Sequence, residues 1–303
     1  MINFFSNMFG YVLNFIYSLV NNYGLAIILF SIILKIVLLP LSIKQQKTTK
    51  KTEKIQKESK IIQEKYKNNP EKMNKEIMDL YKRENISPFG GCFTAIIQLI
   101  LILAMFTLVR NPITNMLHVD NAKIEAVTQY IKEESDENVI NQTYPQISII
   151  KYVANNKKKI EINTDGNTEK INLEDLYINM DFVGIDLSQI PQQNYTDVKV
   201  YIIPVLYVIS SVISIRISTN MQKKTKESIK EEDKKDKKEE ETDLMTEMNK
   251  NMSLTMPFLA VMVSLVAPLG LALYWLTNNI LMIAERIIID KYLEKKGEKT
   301  TNA

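Results

Sequence analysis

Lys35 is the residue in this chain that asks most of its surroundings. It stands within LAIILFSIILKIVLLPLSI, nine residues before Lys44. At about 1.5 Å per helical residue its backbone lies roughly 13 Å from the polar end of that run. A lysine stem reaches only several ångströms, so an ammonium at that depth costs on the order of 3 kcal/mol or more unless it meets water or a partner. The default inference is a polar cavity inside a helical bundle. The alternative is a helix that tilts until the lysine reaches lipid phosphates, and either arrangement leaves a positive charge within one leaflet.

Other polar side chains in apolar runs are candidates for the same wall. Ser31 lies one turn from Lys35 on the same helix face, and Gln98 falls inside the second apolar run. Ser210, Ser211 and Ser214 are in the third, and Tyr274, Trp275, Thr277, Asn278 and Asn279 in the last. Singly, serine and glutamine in spanning helices make helix-to-helix hydrogen bonds more often than they line water, so it is their company with Lys35 that suggests a groove. Trp275, the single tryptophan, suits an interfacial anchor as well as a groove wall. Met245, Met248, Met252, Met256 and Met262 read as soft packing residues, with a surface that grips client segments as the other reading.

Catalysis finds no residues to work with. One cysteine, Cys92, and one histidine, His118 beside Asp120, exclude a disulfide framework and leave the metal and acid–base inventories nearly empty. There is no Walker A loop, GxSxG elbow or HExxH pair, and eight glycines in 303 residues leave little for phosphate cradles. The expectation is a protein that is not an enzyme and uses no cofactor or metal. Its work comes from solvation free energies, the membrane potential or a partner.

The apolar residues that must position Lys35 come in blocks. Runs at 25–43, 93–109, 200–217 and 252–289 are long enough to cross a hydrocarbon core of roughly 30 Å. The last is too long for one crossing, and Pro268 and Gly270 divide it. The expected fold is an all-α integral membrane protein, a five-helix transmembrane bundle with spans at 23–43, 92–110, 199–218, 252–267 and 269–289. Segment 44–84 carries thirteen Lys or Arg against seven acids, whereas acids outnumber bases in 110–199, so the first is cytoplasmic and the second outside. That assigns a cytoplasmic helical hairpin to 44–87, an outer loop with a small subdomain to 111–198, a charged cytoplasmic loop to 219–250 and a cytoplasmic tail to 290–303. The N-terminus is then outside and the C-terminus inside.

Within 1–22, Phe5, Met8, Phe9, Val12, Leu13, Ile16 and Leu19 follow helical spacing, which suits an interfacial amphipathic helix on the outer face. This stretch lacks a positive n-region and a cleavage site, so it is expected to be retained. The cytoplasmic hairpin turns at Asn68, Asn69 and Pro70. It is zipped by Ile55, Ile61, Ile62, Tyr66, Met73, Ile77, Met78, Leu80 and Tyr81, too few for an independent core, so it is expected to be mobile. In the outer loop KKIEINTDGNTEKINL predicts a β-hairpin, with Ile160 and Ile162 facing Ile171 and Leu173 across a turn at Asp165 and Gly166. The stretch 223–243 is nearly pure Lys, Glu and Asp, a solvated connector.

Four motifs in order make the chain resemble the YidC/Oxa1/Alb3 membrane insertase family over nearly its full length. They are YGLAIILFSIILKIVLLPLSIKQQK at 23–47, ENISPFGGCFTAIIQLILILAMF at 84–106, DFVGIDLSQIP at 181–191 and MPFLAVMVSLVAPLGLALYWLTNNILMIAER at 256–286. The resemblance implies a five-helix bundle whose hydrophilic groove opens to the cytoplasm and the lipid, is closed to the outside and is capped by the hairpin. It implies a groove lined by Lys35, Ser31, Gln98, Ser214, Trp275 and Tyr274. The family's groove charge is usually an arginine, and Lys35 occupies that position. Lysine keeps the positive charge, loses the planar fork and releases its proton more readily when desolvated. Ser31 and Trp275 match family groove positions by spacing, and Ser214 falls near a position often occupied by glutamine. An enlarged outer loop from about 117 to 177, the charged insertion after Lys223 and the lack of a lipoprotein-type cysteine depart from the pattern.

The function implied is insertion and folding of nascent membrane proteins in a bacterial plasma membrane, alone or with the Sec translocon. Partners are nascent membrane proteins, the bilayer, and the Sec translocon and ribosome as candidates, with no specific nucleic acid. Two other classes stay open. In a small-anion transporter or channel, Lys35 would bind the anion, although no internal repeat or pair of broken helices is present. An assembly factor would lack insertion activity by itself. A Lys35 capped by a carboxylate in a dry, filled bundle would leave clients no route.

Overall fold

The computed structural model describes residues 2–84, 90–135, 139–156, 158–164, 167–230 and 261–301. The chain begins with α1 (Ile2–Val20), α2 (Tyr23–Lys65), α3 (Pro70–Arg83), α4 (Gly90–Arg110) and the single turn α5 (Pro112–Asn115). The segment that follows adds α6 (Asn121–Glu134), α7 (Pro145–Asn155), β1 (Lys159–Thr164), β2 (Asn167–Asn172), β3 (Asp181–Phe182) and β4 (Ile185–Asp186). Then come α8 (Ile202–Lys230), a helical stretch at 261–266 and α9 (Leu269–Thr301).

The fold is mostly helical. Among the described residues, Tyr23–Thr48 and Val198–Ile217 are long and apolar enough to cross a membrane, with mean hydropathies of 2.6 and 2.0, and Leu99–Arg110 is a shorter apolar helix. Helix α2 is a single element of 43 residues, so the expected span at 23–43 and the first arm of the hairpin are continuous. Pro40 lies inside it without ending it. The ring removes one backbone donor, and the Lys- and Gln-rich sequence that follows continues the helix. Helix α9 likewise runs without a break from the outer turn through the expected tail. Most of the expected span at 252–267, the connector beyond residue 230, and Met245, Met248, Met252 and Met256 lie outside the described residues.

Helices α2 and α3 form a hairpin, with Asn69 capping α3 by accepting from the Lys72 N–H at 3.1 Å. Its seam is narrower than the sequence suggests. Ile55 and Leu80 are buried, but Ile61 and Met78 are exposed, because two short facing helices share only one narrow stripe. Arg83 on α3 pairs with Glu58 on α2 at 2.8 Å across the hairpin.

Helix α1 packs into the protein instead of only resting beside it. Phe9, Leu13 and Ile16 join the main core, while Phe4, Met8, Tyr11, Val12, Phe15 and Leu19 remain exposed. Both faces are therefore apolar, one for the bundle and one suited to lipid. Gly10 permits close approach: a Cβ there would collide with the Asn115 carbonyl oxygen. Ser6 Oγ donates to Asn115 Oδ1 at 3.2 Å just above it.

The segment 179–190 ties together the C-terminal end of α1 and the N-terminal ends of α2 and α9. Asn179 accepts at its carbonyl from the Tyr23 N–H at 3.0 Å, and its own N–H donates to the Tyr17 hydroxyl at 2.7 Å. Asn22 caps α2 by accepting from the Leu25 N–H at 3.0 Å and donates to the Asp181 carbonyl at 2.6 Å. On the far side, Leu269 and Gly270 at the start of α9 donate to the carbonyls of Gln189 and Leu187 at 2.9 and 3.0 Å. Segment 179–190, most of which is the DFVGIDLSQIP motif, is thus a latch across these ends of α1, α2 and α9.

The outer subdomain contains more helix than the sequence alone indicates. Its hairpin register pairs Ile160 with Ile171 as expected, but Ile162 faces Glu169. Leu173 follows the strand: it begins a 3-10 turn and is buried in the core, with its N–H donating to the Lys158 carbonyl at 3.0 Å in the register of the ladder. The turn residues Asp165 and Gly166 lie outside the described residues. Lys158 donates to both carboxylate oxygens of Glu134 at 2.6 Å, which joins the hairpin to α6. These hydrogen bonds hold the Lys158 pKa above and the Glu134 pKa below their ordinary values.

Candidate functional site

Packing density changes abruptly along the two helices that carry the candidate residues. On α2, Tyr23, Gly24, Ala26, Ile27, Phe30 and Ser31 are buried, and no described residue from 32 to 48 is. On α9 burial is nearly continuous from Leu269 to Asn279, and no residue from 280 to 288 is buried. The half of the bundle next to segment 179–190 is filled and latched, whereas the other half is loosely covered. On α2 the exposed Ile33, Ile36 and Val37 mark one side, and Lys35 lies off that side, facing α9.

Lys35 sits one turn past Ser31, where burial on this stretch of α2 stops. Its Nζ donates to Oε2 of Glu285 on α9 at 3.1 Å. The two side chains are 20% and 12% exposed, so the pair is neither solvated like a surface bridge nor sealed in a filled core. The lysine expected as a lone positive charge is therefore half of an ion pair. The physical reason is the cost of an uncompensated ammonium at that depth, which a carboxylate on the neighbouring helix removes. The other carboxylate oxygen, Oε1, is buried and accepts no hydrogen bond among the described residues.

The remaining expected residues divide by depth. Ser31 is 2% exposed and its hydroxyl donates to the Ile27 carbonyl at 2.7 Å, so it closes the outer end of the site. Tyr274 is 3% exposed within the main core and packs above the site, not along an open wall. Trp275 is half-buried with its ring 6.3 Å from that of Tyr207 on α8. Ser214 is half-buried on the α8 face that also carries Tyr207, Ser210 and Ser211. Asn279 donates to Ser210 Oγ at 2.9 Å and Ser211 Oγ at 3.2 Å, so these polar residues make a helix crossing. Gln98 falls within α4, and its side chain lies outside the described residues.

Trp275, Asn278, Met282 and Glu285 are spaced by three, four and three residues, so they share one face of α9 leading inward from the filled half. Glu285 was absent from the sequence-derived set. Its signal was available in that face spacing, but it stands beside Arg286 near the end of an apolar run, where charge is ordinary. A separate concavity of about 540 Å³ lies between α7 and the 188–194 segment and includes Asn141, Tyr144, Lys151 and Gln189. It is built from other elements than the ion pair.

Residues 15–296 match a family described as 60Kd inner membrane protein. The chain is 42% identical over 101 residues to the membrane protein insertase YidC of Caldanaerobacter subterraneus subsp. tengcongensis, covering 33% of this chain and 49% of that protein. It is 36% identical over 111 residues to the YidC of Fusobacterium nucleatum subsp. nucleatum, covering 37% and 54%. With the YidC of Chloroherpeton thalassium the identity is 41% over 102 residues, 34% of this chain and 17% of that one. The chain thus spans about half or less of the length of the curated relatives it matches.

Proposed function

The chain belongs to the 60Kd inner membrane protein family, the YidC/Oxa1 group, and from that premise we propose that it is a membrane protein insertase. In this reading five helices span the membrane with the N-terminus outside and the C-terminus in the cytoplasm. The α2–α3 hairpin faces the cytoplasm and meets nascent membrane proteins. A client's polar outer tail enters the loosely covered inner half towards Lys35, and its apolar stretch leaves laterally along α8 and α9. Lys35, Ser31, Gln98, Ser214 and Trp275 border that route, with Tyr274 supporting its outer end.

The observation that carries the reading is the packing step at Ser31 and Asn279, with Lys35 and Glu285 just beyond it. A polar inlet that stops partway shortens the hydrocarbon a charged tail must cross, and burial of the client's apolar surface completes insertion. The exposed apolar residues Val205, Ile209, Val212 and Ile213 on α8 suit the lipid along which the client departs. Insertion proceeds alone or beside the Sec translocon and ribosome. A small-anion channel is the weaker reading, because the Lys35 ammonium already holds a carboxylate.

Proteoliposomes with the purified chain and a single-span client bearing a short acidic outer tail test the proposal. Protection of the tail from external protease is expected, above protein-free liposomes and reduced by Lys35→Ala. Equal protection with and without the protein overturns it.

A further inference from the structure

We infer that Glu285 is a specificity-determining residue of the insertion site: it occupies the Lys35 ammonium at rest and sets which tail charges the site accepts. The inference rests on the insertase reading and concerns the same site. A carboxylate has about four acceptor positions on two oxygens. On Glu285, Oε2 holds Lys35 at 3.1 Å, while Oε1 is buried with no hydrogen-bond donor among the described residues. One oxygen is thus committed, and the other is an acceptor held away from solvent without compensation, which is costly unless a donor arrives.

Two consequences follow from this geometry. The site at rest carries no net charge, since one ammonium faces one carboxylate. An acidic tail therefore gains Lys35 only by exchange with Glu285, one carboxylate replacing another. A basic tail finds an acceptor in Glu285, through the unfilled Oε1, without displacing anything. A lone lysine at this position would favour acidic tails strongly and repel basic ones, whereas the pair narrows that preference from both sides. Specificity here is a difference between two affinities, and the counter-ion acts on each with opposite sign.

The pair also explains why the site tolerates such a charge at all. Lys35 and Glu285 lie 250 positions apart in sequence and on helices joined at their outer ends by the 179–190 latch. Their separation is consequently fixed by the filled half of the bundle, and the pair closes the loosely covered half by a contact that a competing charge can open.

The test uses the full-length protein in proteoliposomes without a membrane potential and three clients identical except for Asp, Asn or Lys in the outer tail. The readout is the ratio of protected Asp-tailed to Lys-tailed client, with the Asn-tailed client reporting how much functional protein each preparation contains. Glu285→Gln is expected to raise the ratio roughly three- to tenfold and Lys35→Gln to lower it similarly, because each leaves one charge uncompensated. Glu285→Asp, which keeps the carboxylate, is expected to stay near the wild-type ratio and serves where the amide variant folds poorly. A ratio unaltered in Glu285→Gln, or shifted equally by Glu285→Asp, overturns the role of Glu285. Wild-type protein that inserts none of the three clients above protein-free liposomes overturns the insertase reading and this inference with it.

Discussion

Gly24, at the start of α2, lies directly under the ring of Phe182 in β3: a Cβ at position 24 would come within 2.5 to 2.7 Å of Phe182 Cγ, Cδ2 and Cβ. This contact seats the outer end of the Lys35 helix in the latch that also holds α9. Gly24→Ala is expected to lower stability by about 1–3 kcal/mol, the usual cost of overpacking. The variant's thermal unfolding midpoint in detergent measures it. Phe182→Ala in the same chain should restore part of the loss, since the clash is with that ring. Equal losses in the single and double variants would place the cost elsewhere.

The latch turn itself carries strain. Val183 and Gly184 have φ of 54° and 75°, so both residues between β3 and β4 are left-handed. A two-residue turn with that pair of angles favours Asn-Gly, and a β-branched residue there costs about 1–2 kcal/mol. Val183 is 84% exposed, so its side chain contributes little packing. Val183→Asn is expected to raise the unfolding midpoint by a few degrees, about 1 kcal/mol of stability. An unchanged or lower midpoint would mean that the turn is not strained by its valine.

Lys35 was legible in the sequence because a charge inside an apolar run stands out from its neighbours, and Ser31 followed from helical spacing alone. Glu285 was not, because its pairing links residues 250 positions apart and its local setting is unexceptional. The latch motif could be read as a pattern at 181–191, but its work lies in the backbone carbonyls of Asp181, Leu187 and Gln189, which no side-chain pattern encodes. The end of the apolar run pointed to a boundary near residue 43, and the helix continued because its following residues are themselves good helix formers. Leu173 was placed in the strand by alternation, and it is buried on the side that alternation implies, but the chain passes into a 3-10 turn at this residue.

The outer subdomain should respond to acid through Glu134. Its carboxyl pKa lies below the ordinary 4.5, first because Lys158 donates to it and next because Tyr130 does. A depressed folded-state value means that the contribution is complete above the unfolded value and is lost as pH falls through the lowered one. Lys158 is shifted upward, so its side of the bridge is intact at neutral pH and fails only under strongly alkaline conditions. Glu134→Gln should therefore cost stability at pH 7, with the difference from wild type shrinking as the solution is acidified below about 4.5. Hydrogen exchange at β1 and α6 across that range reads the effect, and a difference independent of pH would rule out the bridge as its source.

The crossing of α8 and α9 offers the sharpest separation of a structural role from a client-binding one. Asn279 supplies two donors from one amide nitrogen, to Ser210 Oγ and Ser211 Oγ, and the Ser210 hydroxyl in turn donates to the Tyr207 carbonyl at 2.8 Å. Hydrogen bonds between spanning helices are worth about 0.6 kcal/mol on average and at most about 1.7. Asn279→Ala removes both, so a loss near 1 kcal/mol is expected in a reversible unfolding measurement in detergent. Ser210→Ala and Ser211→Ala should each cost less, because the amide keeps one acceptor, and together they should approach the Asn279→Ala value. If either serine alone matched the asparagine, the second hydrogen bond would contribute nothing. If instead stability held while client insertion fell, the polar cluster would act on clients and not as a tie between the helices that flank their proposed exit.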